Sequence, residues 1–464
     1  MRRRPLTVLA STAAGLLAAA PAAHAHGIQG RADLPVPLVA FYWAASIVLV
    51  VSFVGLAIGW RRPLLRRWAT PAVAPRTPGS VGWLAGAVGF LLLILVLATA
   101  LFGTTDLNRN FAPIAIFVAW WIGIAITAGL LGDLWRAMHP VAFIARVLRI
   151  PAERAPWPAG LGIWLAVAGL LVFTWLELVY PTASDVRLVG ILVLAWALAA
   201  LAGMWRFGVE RWLDHAEPFA VYTRVLSMMA IRRHGRWSPP FVGLTALRPV
   251  HGLVPFVGLL IGTVSYDGLS RTLWWKRRVA NATVNLVERG IEPRHAQQLF
   301  GTFGLAMMAG LAVAAFIVAA AASRRFGRLP RRTRWGTTAQ AFAPSLVPIA
   351  LAYVVAHYFS FFWFQAQGLI ALASDPFGSG RDLFGTADFE VDYSTLSANA
   401  IWAVQLGAIV VGHVLGLVLA HDRALEIEAE VDGARGVRSQ WPMLVLMILY
   451  TVGGLYFLSE GLNA

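Results

Sequence analysis

Long apolar runs alternate with short connectors rich in arginine along the whole chain. After residue 26, ten runs reach or approach the length needed to cross ~30 Å of hydrocarbon as a helix. They cover about 37–60, 81–103, 110–132, 159–180, 186–206, 249–267, 300–322, 341–369, 399–420 and 441–460. The pattern predicts an all-α polytopic membrane protein of about ten transmembrane helices. The sixth run is the weakest, because Pro249, His251 and Pro255 interrupt its start.

The connectors set an orientation. Of the 38 basic residues, 25 fall in 61–80, 133–158, 206–248, 323–340 and 421–440. By the positive-inside rule these face the cytoplasm, which places both chain ends outside. The stretch WWKRR at 274–278 runs against this pattern and points to an interfacial helix. The net charge of +15 therefore reflects membrane topology, and no nucleic-acid partner is expected. The expected partners are the lipid bilayer and a small apolar substrate. A hydrophobic fraction of 58% and a mean hydropathy of +0.68 agree with a membrane class.

The first residues read as a signal peptide over 1–25. A basic MRRR start precedes a short apolar core and the small-residue site Ala23-His24-Ala25. An uncleaved first helix is the alternative. Cleavage after Ala25 would make His26 the first residue, whose α-amino group and imidazole can chelate copper; a chance ending is the plainer reading. The remainder, 26–464, reads as one transmembrane helical domain. Within it, 206–248 carries a mixed pattern suited to an amphipathic helix on the cytoplasmic membrane surface. The acidic, glycine-rich stretch 374–398 reads as an ordered cap over the outer mouth. A lone lysine, Lys276, against 37 arginines suggests a bacterial source, and with it the bacterial inner membrane.

Composition narrows the chemistry. Cysteine is absent, so there is no disulfide, thiolate metal site or thiol nucleophile. No motif for a metalloprotease, phosphate-binding loop, serine hydrolase or dinucleotide fold occurs. What remains is polar side chains inside apolar runs, which are costly there and so usually face protein or a cavity. These are Glu177, Asp267, His357, Gln365, Gln367, Gln405 and His413. His413 and His421 stand eight residues apart, about 12 Å along a helix, too far to share one metal. His421, beside Asp422 and Arg423, reads as an interfacial anchor. His357 and His413 lie on antiparallel neighbours and are expected to approach in one cavity, as general bases or as ligands of a divalent metal ion. Glu177 and Asp267 lie near outer helix ends and are expected to face a pocket capped by Asp388, Glu390 and Asp392. The plainer reading makes all of these helix-contact polarity, with the carboxylates paired to Arg187 or Arg271.

Five segments together resemble one bacterial family: HGIQGRADLPVPL (26–38), GDLWRAMHP (132–140), SYDGLSRT (265–272), VAHYFS (355–360) and GHVLGLVLAHDRAL (412–425). The chain is similar over about 26–425 to the integral-membrane fenitrothion hydrolases, where an asparagine would be expected in place of His139. The resemblance implies hydrolysis of an organophosphate triester, releasing a nitrophenol. It implies no catalytic residues. From the residues alone the candidates are catalytic His357, His413, Glu177 and Asp267, with His357, His413 and His26 as metal ligands. Two other readings stay open: a transporter or permease for a metal ion or small solute, and a non-catalytic metal-handling protein of the envelope.

Overall fold

Helix is the one conformation that satisfies the backbone of an apolar run within itself, and the apolar runs of this chain fold that way. A computed structural model of the protein describes residues 38–69, 79–233, 236–430 and 436–463. The chain forms α1 (Leu38–Gly59), α2 (Ser80–Phe102), α3 (Phe111–Leu131), the short α4 (Leu134–Met138) and α5 (Pro140–Val147). It continues with α6 (Trp164–Leu178), α7 (Val186–Phe207), the short α8 (Val209–His215) and α9 (Pro218–Ser227). The second half comprises α10 (Leu253–Arg271), α11 (Leu273–Val287), α12 (Pro293–Gly327), α13 (Val347–Gln365), α14 (Ala398–Glu428) and α15 (Trp441–Asn463). Two-residue strands form small hairpins, Arg232–Arg233 with Arg236–Trp237 and Arg332–Thr333 with Gly336–Thr337.

This is an all-α polytopic membrane fold. Among the described residues, eight helices are long and apolar enough to cross a bilayer; two shorter apolar ones, Trp164–Leu178 and Trp441–Phe457, fall where the fourth and tenth spans were expected. The helix Leu273–Val287 accounts for the discordant WWKRR stretch. The proposed signal peptide and His26 lie outside the described residues.

Burial divides the bundle. In the spans Leu253–Arg271 and Thr338–Gln365, 78% and 83% of the apolar window is buried, against 17–44% in the other six. These two helices form the centre, so their polar residues are surrounded by protein. Small residues bring helices against them. A Cβ on Gly412 would stand 2.3 Å from the Ala352 Cβ, and one on Gly416 would stand 2.6 Å from the Ser345 carbonyl. The small-xxx-small pattern thus seats α14 on α13. Gly262 does the same for α10, where a Cβ would meet the Ala309 backbone at 2.5 Å.

The 206–248 segment departs from expectation. It does contain helices, but α9 does not lie on a surface: Phe219 to Thr223, Val225 and Leu226 are all buried. Its apolar residues occupy nearly every face, so water or headgroups on one side would strand them. The helix instead enters the bundle beside α3 and α6.

Candidate functional site

Asp267 is the hub of the site. It sits near the C-terminal end of α10 and is 3% exposed. A buried carboxylate needs donors, and four contacts supply them. Arg271, one turn on, donates from Nε to Oδ1 at 3.1 Å and places Nη2 at 3.1 Å from the same oxygen. The Tyr358 hydroxyl donates to Oδ2 at 2.9 Å, and His357 Nε2 lies 2.7 Å from Oδ2. With Oδ2 as the acceptor, as it is for the Tyr358 hydroxyl, Nε2 of His357 is the donor. His357 and Tyr358 are consecutive on α13, so their side chains diverge, yet both reach one oxygen; their rings meet edge to face at 4.7 Å.

Glu177, at the C-terminal end of α6, completes the cluster. Its carboxyl feels the charges of Asp267 and Arg271 and lies beside the Trp121 indole. It lines a chamber of about 20 Å³ with Trp121, Thr174, Tyr222, Thr263 and Tyr358, closed by apolar side chains that include Leu170 and Leu178. Roughly 10–15 Å³ admits one water, so this chamber takes water and not a triester.

Three of the four expected catalytic residues, Glu177, Asp267 and His357, therefore converge. Only Glu177 among them lines the chamber; His357 stands behind Asp267. His413 is the exception and corrects the expectation of a shared histidine cavity. It is fully buried beside Tyr353, at 5.9 Å between ring centres, one turn inward of His357. Its Nδ1–H donates to the Ile409 carbonyl at 2.8 Å, and its Nε2 has no hydrogen-bond partner among the described residues. The helical carbonyl four residues back takes the ring and turns it along α14, away from the chamber.

Among the described residues, no three His, Asp or Glu side chains are grouped to hold an ion. Asp388, Glu390 and Asp392 do not cap the chamber. All three are exposed on the loop after α13, where Asp392 caps the turn at Tyr393–Thr395 through Ser394. That loop is ordered by its own bonds: Ser379 and Gly380 N–H groups donate to Asp375, at 2.8 and 2.7 Å. Arg187 pairs with neither Glu177 nor Asp267; it donates to the Ala100 and Gly103 carbonyls and so caps the end of α2. Gln367 bonds to Asp392 in the loop, and Gln405 is buried on α14 with Oε1 unpartnered among the described residues.

His421 holds helices together, but it does so from inside α14, which runs on to Glu428, and not from the helix end that the sequence indicated; it is 2% exposed. Its Nε2 donates to the Trp60 carbonyl at 2.8 Å and its Nδ1 meets the Gln440 amide at 2.6 Å. Asp422 accepts from the Trp60 indole at 3.1 Å and from the Leu64 N–H at 2.7 Å. Arg423 lies over the Trp335 ring at 3.7 Å and binds Glu426 and the Thr245 carbonyl. The trio pins the C-terminal parts of α1 and α14 to the start of α15.

Sequence reasoning missed Tyr358, Tyr222 and Trp121. Tyr358 adjoins a flagged histidine, and its hydroxyl inside an apolar run was a usable signal; Trp121 and Tyr222 gave none. No family model, no curated protein and no solved structure matches this chain.

Proposed function

We propose that the protein is a membrane-embedded hydrolase of organophosphorus triesters, with about ten spans in a bacterial inner membrane and both mature ends outside. One observation carries the chemical part. Glu177 faces a chamber of water size, backed by the carboxylate–imidazole–phenol cluster of Asp267, His357 and Tyr358.

In this reading Glu177 takes a proton from a water held in the chamber. The water oxygen attacks phosphorus, the P–O bond to the aryl group breaks, and the aryloxide leaves as a nitrophenol once protonated. Glu177 is the catalytic base. Asp267 and His357 are positioning residues, which fix the charge beside Glu177 and hold Tyr358 in the chamber wall. An apolar triester partitions into lipid and reaches the bundle from the side. It is several times larger than the chamber, so the half-buried Leu178 and Val264 must swing aside to admit its phosphorus. The divalent ion suggested by the sequence has no three-ligand site among the described residues, and no step here depends on one.

The test is nitrophenol release by detergent-purified protein, with and without chelator. Glu177→Gln is expected to lower the rate about 10²-fold or more, the usual range for a general base. A wild type that releases no nitrophenol under any metal condition overturns the proposal, as does a Glu177→Gln variant of full activity.

A further inference from the structure

A second acid–imidazole pair lies deeper in the bundle, where Glu217 meets Trp196 in the middle of α7. His139 and Glu217 are 0% and 1% exposed. Nδ1 of His139 accepts the Ala142 N–H at 3.2 Å, capping α5, so the neutral ring carries its proton on Nε2. That atom has no hydrogen-bond partner among the described residues and stands 3.6 Å from Glu217 Oε2. Glu217 accepts the Trp196 indole N–H at 3.1 Å, and its other oxygen accepts the Ala220 N–H, capping α9. The rings of Trp135 and Trp196 flank His139 at 5.0 and 5.7 Å. A proton donor and a proton acceptor are thus enclosed by indoles, with no role in the chemistry assigned above.

The helix α9 links this pair to the outer chamber. It starts at Glu217 and carries Tyr222 five residues later, about 7.5 Å of rise. Tyr222 lines the chamber with Glu177. Aromatic rings fill the interval: Trp120 on Phe219 at 4.5 Å, Phe219 on Phe173 at 5.1 Å, Phe173 on Trp121 at 4.7 Å and Trp121 on Tyr222 at 5.3 Å. Trp120 and Trp121 stand where the seven-residue π-helical stretch Ile114–Trp120 returns to α-helix. Such stretches are rare and frequent at functional sites. The Trp120 and Trp135 indole N–H groups are buried without hydrogen-bond partners among the described residues, positions that a passing water would satisfy.

Charged groups surround the inner pair on the basic-connector side. Arg136 pairs with Glu210 and Asp214, Arg146 with Glu210, and Arg224 with Asp214. Asp133 accepts the Thr223 hydroxyl; burial pushes its carboxyl up, and the Arg136 N–H and guanidinium oppose this. Together they form a polar, ion-paired fringe between the buried pair and the inner aqueous phase.

We propose that His139 and Glu217 form the inner half of a transmembrane proton path whose outer half is Glu177, Asp267 and His357, with the aromatic block as the barrier between them. Protons pass between Glu217 and Glu177 through water that enters the block transiently. Only N–H and O–H bonds are made and broken, and the moving charge is balanced by a counter-ion across the membrane.

The test is proton flux into vesicles that hold the full chain and a trapped pH dye, driven by a potassium gradient with valinomycin. Wild type is expected to acidify the lumen at least tenfold faster than protein-free vesicles of the same lipid. Glu217→Gln and His139→Asn are expected to fall to within about twofold of that background. Asparagine keeps an oxygen for the Ala142 N–H, so His139→Asn preserves the cap and is decisive if Glu217→Gln fails to fold. Wild-type flux equal to that of empty vesicles overturns the proposal, and so does His139→Asn flux equal to wild type. Nitrophenol release assayed on the same preparations separates the two readings: hydrolysis without flux removes the path alone, and flux without hydrolysis removes the hydrolase alone.

Discussion

Replacing Asp267 and His357 singly and together tests whether they act as one unit. The Asp267 carboxylate is 3% exposed and accepts from His357, Tyr358 and Arg271. Hydrogen bonds to an ionised group contribute roughly 1.5–3 kcal/mol each. Asp267→Asn keeps one oxygen, which can still accept from Tyr358 or Arg271. Its amide N–H₂ then faces the Nε2–H of His357, donor against donor, until the imidazole changes tautomer. The Arg271 side chain is 24% exposed, so water compensates part of its loss. The net expectation for Asp267→Asn is a destabilisation of about 2–4 kcal/mol, near the lower end of what breaking a buried pair costs. His357→Asn alone removes one charge-assisted bond, about 1.5–3 kcal/mol. Since both variants lose the same bond, the double variant should lie below the sum by about 1–2 kcal/mol, within the usual range for contacting residues. Reversible unfolding in mixed micelles with increasing SDS measures all three. A coupling energy within about 0.3 kcal/mol of zero, the scatter expected for independent sites, would refute the shared cluster.

Other outcomes follow from single contacts. Gly412→Ala should destabilise by about 1–3 kcal/mol, because its Cβ meets the Ala352 Cβ and the Pro348 carbonyl, neither of which can rotate away; the same SDS titration reads it. Asp422→Ala should cost about 1–3 kcal/mol by leaving the Trp60 indole and the Leu64 N–H without their acceptor, with faster hydrogen exchange at 60–65 as its signature. The loop after α13 should loosen in acid. Burial alone pushes the Asp375 carboxyl up, but the Ser379 and Gly380 N–H groups outweigh this and hold it below the usual carboxylate range. A depressed native value means that its stabilisation is present above the unfolded value, about 4, and is lost as pH falls through the native one. Proteolysis within 376–387 should therefore accelerate below about pH 4 in wild type, while Asp375→Asn should be cleaved as fast at pH 7; equal rates for the two proteins at pH 7 would remove the reading.

The sequence by itself determined the class, the approximate spans and the list of costly polar residues. Those follow from the hydrocarbon's thickness and its intolerance of unpaired groups, constraints that act on each segment separately. The end of α14 was misread for the same reason: His421, Asp422 and Arg423 look like a polar edge, yet the helix continues to Glu428 with all three buried. Which polar residues meet was decided only by tertiary packing. Asp267 and His357 lie 90 positions apart and converge because α10 and α13 take the centre of the bundle. His413 looks equivalent in sequence, yet the Ile409 carbonyl and the close seat of Gly412 on α13 fix its ring elsewhere. The helix after Glu217 reads as amphipathic when its partners are unknown, and only the groove between α3 and α6 makes its second face a buried one. A helical pattern states which faces avoid water; rotation and depth depend on shapes contributed by distant segments, and those fix which side chains can exchange a proton.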